Sequence, residues 1–365
     1  MKIAIVHDYL NQYGGAERVV KYFHELYPEA PIYTSFYIPD STYPEFKECV
    51  IKTSFMQHLP FIRYLFRFYF YLFPLAFRSF NFKGYDLLLT SSSTFAKGIN
   101  KAGACHICYC HSPMRVAWNN YNYIGKGLFK NILRLFLSPF LAWLRSWDYR
   151  AAQKVDYFVC NSKNIAGQLS LIYHRSAEVI YPPTDISQFY ISDSVGDYYL
   201  IVSRLYSYKN IKLAIDVFNK NGLNLAIIGK GPDEAYFKKI SGKNIRYLGI
   251  IDDKALAGYY SKCKALIFPG EEDFGITPVE AMASGRPVIA YGKGGALESV
   301  VDNVTGIFFK DPNEGSLQEA ISKCENTRFD SKKIRDHAMQ FDVDIFKSKI
   351  DKYIKEKYRE YEEKI

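Results

Sequence analysis

The chain has 365 residues, which is too long for one ordinary hydrophobic core, so we expect two domains. A hydrophobic content of 48% supports a fully globular protein, and the N-terminus shows no apolar run long enough for a signal peptide. Seven cysteines are an odd number in a large chain, which predicts reduced thiols and a cytoplasmic location. The net charge is +9.

The N-terminal half alternates predicted strands and helices. It opens with a strand over 2–6, a loop over 7–15 and a helix from Ala16 that carries an apolar stripe at helical spacing. The stripe consists of Val19, Phe23, Leu26 and Tyr27. Further strands are predicted over 87–90, 106–110, 157–160 and 179–181.

Positive charge is concentrated between residues 50 and 155, where the only acidic residues are Asp86 and Asp148. The basic residues there are Lys52, Arg63, Arg67, Arg78, Lys83, Lys97, Lys101, Arg115, Lys126, Lys130, Arg134, Arg145, Arg150 and Lys154. Aromatic residues are interleaved with them. Nucleic acid and an anionic membrane surface both fit such a patch.

Two parts of this basic segment resemble membrane elements. The apolar stretch over 55–80 is interrupted by prolines and arginines, so we do not interpret it as a spanning helix. Over 126–137, Lys126, Lys130 and Arg134 share one helical stripe and apolar residues face away, which predicts a surface-lying helix. Two core helices with solvated basic faces are the alternative.

The C-terminal half alternates more regularly. Strands are predicted over 199–203, 225–228, 245–248, 265–268 and 287–290. Helices are predicted after them over 211–219, 234–240, 254–263, 278–284 and 296–301. This alternation predicts a doubly wound parallel sheet in each half, with ligands at the carboxyl ends of the strands. The boundary is expected near 182–195, which has paired prolines and little periodicity.

Three cysteines, Cys105, Cys108 and Cys110, lie close to His106 and His111 and invite a zinc interpretation. The cysteines alternate with other residues as they do in a strand, and no second ligand pair follows at zinc-finger spacing. We therefore predict buried thiols in a core strand.

The most informative motif covers 270–287. Thr277 is the predicted N-cap of a helix and Pro278 its first residue, so Glu272 and Glu280 flank a glycine-containing loop at the positive end of that helix. An anion site between carboxylates that bind hydroxyls describes a nucleotide diphosphate sugar. The pair Thr277 and Glu280 equally fits a capping box, in which the glutamate needs no ligand.

Taken together, these features resemble the retaining nucleotide-sugar glycosyltransferases of family 4. The resemblance covers essentially the full chain and is strongest in the Phe-Gly-x-x-x-x-Glu-Ala-Met-Ala-x-Gly-x-Pro-Val setting of Glu272 and Glu280. In detail it is similar to bacterial mannosyltransferases of O-antigen and exopolysaccharide assembly. The supporting segments are His-Asp-Tyr-Leu at 7–10, Gly-Gly-Ala-Glu-Arg-Val at 14–19, Cys-His-Ser-Pro-Met-Arg at 110–115, and 272–295.

The resemblance implies an α/β fold of the GT-B type, with two facing Rossmann-like, doubly wound domains of parallel strands. Residues 1–185 would form an acceptor-binding domain joined by a C-terminal helix over 345–365. Residues 186–344 would form the donor-binding domain.

For the donor site, the resemblance implies that Glu280 holds the two ribose hydroxyls and that Glu272 contacts hydroxyls of the transferred sugar. Arg204 and Lys209 would bind the diphosphate and replace a metal ion, so neither a metal nor another cofactor is expected. Surface salt bridges are the alternative for these two cations. Backbone N–H groups would meet sugar and phosphate oxygens at Phe274, Gly275, Ile276 and Thr277.

For the N-terminal domain, Gly14 and Gly15 would allow the backbone to approach the donor closely. His111 would contact the sugar near the reacting carbon, with a buried, satisfied histidine as the alternative. Arg115 is the candidate for acceptor phosphate.

The expected activity is retaining transfer of a hexose, with mannose from GDP-mannose favoured, to a polyprenyl-diphosphate-linked glycan at the inner face of the cell membrane. A UDP- or dTDP-sugar donor is the alternative within the same class. A non-catalytic sugar-nucleotide-binding subunit and a nucleic-acid-binding protein are alternatives of other classes. The last leaves Glu272, Glu280, Arg204 and Lys209 unexplained, so we expect no nucleic-acid partner.

Overall fold

The computed structural model describes residues 1–118 and 128–364, and for 128–137 only the backbone. It divides the chain into two compact units. The first consists of Met1–Pro183 with Phe346–Ile365, and the second of Thr184–Ile345.

The first unit is built on a seven-stranded parallel sheet. Its strands are β1 (Ile3–His7), β2 (Ile32–Thr34), β3 (Ile51–Thr53), β4 (Leu87–Ser92), β5 (Cys105–Cys110), β6 (Tyr157–Cys160) and β7 (Glu178–Val179). Their order is β3-β2-β1-β4-β5-β6-β7, so the winding direction reverses between β1 and β4. The short strands β2 and β3 were not predicted from the sequence.

Helices of the first unit follow these strands. They are α1 (Gly15–Leu26), α2 (Ile62–Leu65), α3 (Phe73–Arg78), α4 (Arg115–Trp118), α5 (Leu128–Ala152) and α6 (Lys163–Tyr173). Helix α1 buries Val19 and Phe23 of its predicted apolar stripe, together with Val20. Helix α6 begins where the Ser162 hydroxyl accepts a hydrogen bond from the Ile165 amide, which satisfies one exposed donor of its first turn.

The segment 55–80 forms short helices with two kinds of side chain. Met56, Ile62, Phe73 and Phe77 are buried in the core of the first unit. Phe61 is 73% exposed and Phe68 is 77% exposed. Several neighbouring aromatic side chains are also exposed, each by a smaller fraction. No helix within residues 1–118 and 128–364 combines the length and apolarity needed to cross a membrane. The predicted basic stripe on Lys126, Lys130 and Arg134 lies outside the residues whose side chains are described.

Some of the positive charge in 50–155 serves the core. Lys97 and Asp148 are fully buried and form an ion pair with 2.6 Å between Nζ and Oδ1. The Trp118 indole and the Tyr173 hydroxyl both donate to Asp148 Oδ2, at 2.7 and 2.5 Å. This network anchors α5 to the elements around it, because a buried charge is tolerated only when it is paired and hydrogen-bonded.

Asp8, directly after β1, holds the switch point of the first sheet closed. Its carboxylate accepts four backbone N–H bonds of 2.7–2.9 Å, from residues 93–96 after β4. These amides would otherwise form an anion site, since successive N–H groups in a turn attract negative charge. Asp8 is buried and fills that site from within the chain.

The second unit carries a six-stranded parallel sheet in the order β10-β9-β8-β11-β12-β13. The strands are β8 (Tyr199–Val202), β9 (Leu225–Ile228), β10 (Ile245–Gly249), β11 (Leu266–Phe268), β12 (Val288–Tyr291) and β13 (Gly306–Phe309). The last of these was not predicted from the sequence. The winding direction reverses between β8 and β11.

Helices of the second unit lie between and after these strands. They are α7 (Ile211–Asn221), α8 (Glu234–Ile240), α9 (Asp253–Lys262), α10 (Ile276–Ala283), α11 (Ala296–Ser299), α12 (Glu314–Asn326) and α13 (Ser331–Ala338). Side-chain caps mark several of their first turns, for example Asp252 at α9 and Asn313 at α12.

The last helix, α14 (Val343–Glu362), returns to the first unit. Phe346 stacks on Phe23 with ring centroids 6.1 Å apart, and the Tyr353 hydroxyl donates to the Phe158 carbonyl at 3.2 Å. The end of the chain therefore belongs to the core of the N-terminal unit.

We expect Asp8→Ala to lower the stability of the first unit by about 3 kcal/mol, because it leaves four buried amides without their acceptor. For a unit of this size, that corresponds to a fall in Tm of roughly 6–12 °C in calorimetry. Asp40→Ala is the matched control, since Asp40 is 81% exposed and paired only with a lysine at the surface. Equal, small effects of the two substitutions on Tm would contradict the stabilising role of the four hydrogen bonds to Asp8.

Candidate active site

Three of the predicted charged residues of the second unit lie on loops that flank the reversal of strand order. Arg204 and Lys209 follow β8, and Glu272 follows β11, which is the neighbour of β8 in the sheet. Carboxyl ends of parallel strands share one edge, and the gap at a reversal is where doubly wound sheets bind ligands. The two loops are in contact, because the Asn210 amide donates to the Pro269 carbonyl at 3.3 Å.

Lys209 and Glu272 form an ion pair in this gap. Both side chains are only 14% exposed, so their charges are partly removed from water. A largely buried pair of this kind suits a polar ligand, because an ammonium has three N–H donors and a carboxylate has several acceptor positions. Lys209 does form a salt bridge, but the pair is largely buried rather than at the surface, and its partner is the predicted site residue Glu272.

Two tyrosines flank the cations and were not singled out from the sequence. The Arg204 guanidinium lies 5.6 Å from the Tyr206 ring centroid, and Lys209 Nζ lies 5.2 Å from that of Tyr208. The Tyr208 hydroxyl also accepts a hydrogen bond from Arg204 at 3.3 Å. These rings hold the cationic side chains at the sheet edge by cation–π attraction.

Glu280 is buried on α10 and is hydrogen-bonded to Tyr260 on α9. The Tyr260 hydroxyl donates to Glu280 Oε2 at 2.8 Å, and both side chains are almost completely buried. The tyrosine therefore fixes the orientation of the carboxylate. The sequence marks Tyr260 only as a buried position of α9. Its partner Glu280 lies on the next helix, so the hydrogen bond between them has no local signal.

The predicted start of α10 is wrong by two residues. The helix begins at Ile276 with Gly275 as N-cap, so Thr277 and Pro278 are the second and third helical residues. No side chain caps this end among the described residues, and Gly275 has a φ of 87°. The capping-box interpretation of Glu280 is thereby replaced by its bond to Tyr260, and the first turn keeps backbone N–H groups for an anion.

The loop 292–295 after β12 supports the loop that carries Glu272. The Gly295 amide donates to the Glu272 carbonyl at 2.8 Å. A Cβ atom on Gly295 would lie 2.1 Å from Phe274 Cα and 2.6 Å from the Asp273 carbonyl oxygen. Only glycine permits this approach without displacing the backbone.

The other predicted site residues belong to the first unit. Gly14 is the N-cap of α1, Gly15 is its first residue, and Arg115 begins α4. His111 follows β5 and is buried, with Nε2 2.8 Å from the Ser91 hydroxyl. Burial is the main cause that lowers the pKa of His111 to about 3, with the charges of His7 and Arg115 acting in the same direction.

The cysteines of β5 are buried thiols, as predicted. Burial raises the pKa of both Cys105 and Cys108 to about 12. His106 Nε2 lies 3.0 Å from the Thr90 hydroxyl. No grouping of three potential metal ligands of the His, Cys, Asp or Glu type occurs within residues 1–118 and 128–364.

Two family models match the chain. The model of group 1 glycosyl transferases matches 185–341, and the model of glycosyltransferase family 4 matches 13–188. Together they account for nearly the whole chain. The chain belongs to glycosyltransferase family 4.

Curated relatives of this glycosyltransferase are similar at low identity. The uncharacterized glycosyltransferase MJ1178 of Methanocaldococcus jannaschii is 29% identical over 201 residues, covering 52% of this chain and 56% of that protein. Human alpha-1,3/1,6-mannosyltransferase ALG2 is 26% identical over 256 residues (59% and 58%). The O-antigen chain mannosyltransferase C of Escherichia coli is 23% identical over 226 residues (56% and 61%). The matches thus span 56–61% of the length of these relatives.

Two solved structures share the fold of the glycosyltransferase. Anabaena Alr3699/HepE in complex with UDP superposes with a TM-score of 0.73 at 17% identity, covering 98% of this chain and 100% of that chain. Sucrose-phosphate synthase from Thermosynechococcus elongatus has a TM-score of 0.76 at 18% identity, with the same coverage. The predicted GT-B class, with two Rossmann-like domains of parallel strands, is confirmed.

We expect Gly295→Ala to displace the loop that carries Glu272, because the new methyl group would overlap Phe274. The cost of such overpacking is about 2 kcal/mol, or roughly 4–8 °C in Tm for the second unit. Gly292→Ala is the matched control, since its closest neighbour would be at 3.4 Å. Scanning fluorimetry of both variants tests this, and a Gly295→Ala protein as stable as Gly292→Ala would contradict it.

Proposed function

We propose that this glycosyltransferase is a retaining hexosyltransferase that moves mannose from GDP-mannose to a hydroxyl of a polyprenyl-diphosphate-linked glycan. O-antigen or exopolysaccharide assembly, as in lipopolysaccharide biosynthesis, would be its setting. The observation that carries the proposal is the arrangement of Arg204, Lys209, Glu272 and Glu280 around the reversal between β8 and β11. The mannosyltransferase names of the human and E. coli relatives support the choice of sugar.

The donor roles follow from the chemistry of each group. A carboxylate accepts two hydrogen bonds at once, so Glu280, oriented by Tyr260, suits the two vicinal hydroxyls of a ribose. Arg204 and Lys209 supply positive charge for the diphosphate, and the first turn of α10 offers backbone N–H groups at 275–277. Glu272 is then left for hydroxyls of the sugar.

The transfer step breaks the bond between the anomeric carbon and the diphosphate oxygen and forms a bond from that carbon to the acceptor oxygen. The acceptor proton passes to the leaving diphosphate. Glu272 is poorly suited as a covalent nucleophile, because Lys209 already compensates its charge. We therefore favour reaction on one face of the sugar, in which the enzyme positions the substrates and stabilises the leaving group.

No metal or other cofactor is needed in this proposal. Two side-chain cations next to the leaving diphosphate would perform the charge stabilisation that a divalent ion provides elsewhere. His111, Gly14 and Gly15 in the first unit would contribute contacts to sugar and donor, and Arg115 would bind acceptor phosphate.

The nucleotide base is the least constrained part of the proposal. Backbone groups near Gly249–Asp253 would contact the base, and because every residue type carries them, the sequence there does not choose between guanine and uracil. The structural neighbour in complex with UDP keeps a UDP-sugar as the alternative donor, with a dTDP-sugar as a second one.

The acceptor side rests on the surface of the segment 55–78. Between residues 55 and 75, six large apolar side chains are exposed, and Arg63, Arg67 and Arg78 of the same segment are exposed as well. The six are Phe55, Phe61, Tyr64, Phe68, Tyr71 and Leu75. Apolar side chains beside arginines suit the interface of an anionic membrane, where a polyprenyl-linked acceptor resides. We propose a peripheral location at the inner face of the cell membrane.

The donor proposal predicts selective stabilisation by a nucleotide sugar. GDP-mannose at a hundred times its Kd should add about 2.7 kcal/mol, which raises Tm by roughly 5–11 °C for a unit of this size. Glu280→Gln should raise Kd by about 10- to 100-fold, because it removes charge-assisted hydrogen bonds. Scanning fluorimetry with GDP-, UDP- and dTDP-sugars measures both.

Glu319→Gln, an exposed change on α12 of the same unit, is the matched control and should respond as the wild type does. Stabilisation by a UDP- or dTDP-sugar alone would replace the donor and keep the site. If Glu280→Gln binds as tightly as the control, the assigned ribose contact is wrong.

The membrane proposal predicts co-sedimentation with vesicles that contain anionic lipid and not with zwitterionic vesicles, and release at high salt. Replacing Phe61 and Phe68 by serine should weaken this binding about tenfold or more, since each aromatic side chain would lose its apolar environment. Leu171→Ser is the matched control, because Leu171 is 78% exposed on α6 of the same unit. Binding that ignores lipid charge, or that the control weakens equally, would refute the proposal.

A further inference from the structure

Four polar side chains form a buried polar network in the first unit. Glu17 on α1 lies next to His7 at the end of β1, with 3.7 Å between Glu17 Oε1 and His7 Nε2. His7 Nδ1 lies 3.0 Å from the Ser91 carbonyl oxygen and 3.1 Å from the Ser91 hydroxyl on β4. The same hydroxyl lies 2.8 Å from Nε2 of His111, so the network ends at a predicted site residue.

The hydrogens on the ring nitrogens and on the Ser91 hydroxyl can be assigned from the acceptors in this network. The Ser91 carbonyl oxygen can only accept, so His7 Nδ1 must carry a hydrogen. Within residues 1–118 and 128–364, the Ser91 hydroxyl contacts only His7 Nδ1 and His111 Nε2. Since His7 Nδ1 is a donor, His111 Nε2 is the acceptor that these contacts leave for the hydroxyl hydrogen, and a buried hydroxyl hydrogen without an acceptor is costly. That nitrogen is therefore an acceptor and carries no hydrogen.

We infer that His7 and Ser91 are positioning residues that hold His111 as a neutral imidazole with its hydrogen on Nδ1, with Glu17 as the ion-pair partner of His7. In this tautomer the side chain offers an N–H donor and adds no positive charge. The inference concerns the first unit alone and can be tested without a substrate.

The charges around the two histidines agree with this assignment. Burial lowers the pKa of His7, but the hydrogen bond and charge of Glu17, together with Asp8 and the Ser91 carbonyl, outweigh it and leave the pKa above its ordinary value. The ion pair with Glu17 therefore favours a positive charge on His7. For His111, burial, His7 and Arg115 oppose a second positive charge, and only Asp8 favours it.

The network also reaches Gly14, in the loop before α1. Glu17 Oε2 would lie 2.3 Å from a Cβ atom on Gly14, so the carboxylate occupies the space that any other residue at position 14 would need. The Gln12 amide donates to Glu17 Oε1 at 3.0 Å. A larger residue at position 14 would therefore require the end of the Glu17 side chain to move.

For catalysis, the consequence rests on the proposed function. Glycosyl transfer builds positive charge at the anomeric carbon in its transition state. An imidazolium near that carbon would oppose the charge, whereas a neutral histidine can still donate a hydrogen bond to a sugar oxygen. The network would therefore keep His111 in the state that the reaction tolerates.

The test is ¹⁵N NMR of protein labelled at histidine, with the His111 signals assigned by their loss in His111→Asn. We expect His111 to show a protonated Nδ1 and an unprotonated Nε2, unchanged from pH 6 to pH 8. In Ser91→Ala this preference should disappear, with at least half of the signal shifting to the Nε2-protonated form. An Nε2–H tautomer or an imidazolium in the wild type would overturn the inference.

Ser92→Ala is the matched control, because Ser92 is equally buried on β4 and its hydroxyl accepts from the Lys97 amide. It should leave the His111 tautomer unchanged, and a shift equal to that of Ser91→Ala would refute the assignment. Glu17→Gln keeps the shape of the side chain at position 17. It should lower the pKa of His7 while preserving the His111 tautomer. A protein that transfers no sugar but shows the expected tautomer would refute the proposed function and leave this inference intact.

Discussion

The reversal of strand order between β8 and β11 is the constraint on which the rest of the site depends. Neighbouring strands elsewhere in the sheet are bridged by helices on a face, but at the reversal the helices leave in opposite directions and open a gap at the carboxyl edge. Arg204, Lys209 and Glu272 all enter that gap from the loops that flank it, and the loop before α11 holds Glu272 in place through Gly295. The sheet topology thus brings together residues that are far apart in the chain.

The two units solve the same architectural problem in different ways. In the first sheet, the gap between β1 and β4 is closed by Asp8, whose carboxylate takes the four amides that would otherwise attract an anion. In the second sheet, the corresponding edge keeps partly exposed charges, and Lys209 and Glu272 neutralise each other. Mutual pairing lets opposite charges remain largely buried without a ligand, which makes the second edge the better candidate for a charged substrate. The first unit contributes the neutral His111 instead.

Regular parts of the fold could be predicted because their signal is local, whereas pairings across the chain could not. Apolar runs bounded by glycine and polar residues marked β8 to β12, but β2 and β3 have three residues each, too few to show a period. The Thr277 cap failed because Tyr260, on another helix, takes the carboxylate that a capping box would use. Lys97 was counted with the surface charge because its partner Asp148 lies on a different helix. The site motif itself was readable, since Glu272 and Glu280 lie on one loop and helix.

A crystal structure with a bound nucleoside diphosphate would test the central claim most directly. The account predicts that the ribose hydroxyls lie within hydrogen-bond distance of the Glu280 carboxylate and that Arg204 and Lys209 contact the diphosphate. It also predicts that Tyr260 keeps its hydrogen bond to Glu280 in the complex. A nucleotide bound away from the edge between β8 and β11, or a Glu280 that contacts only protein, would contradict it.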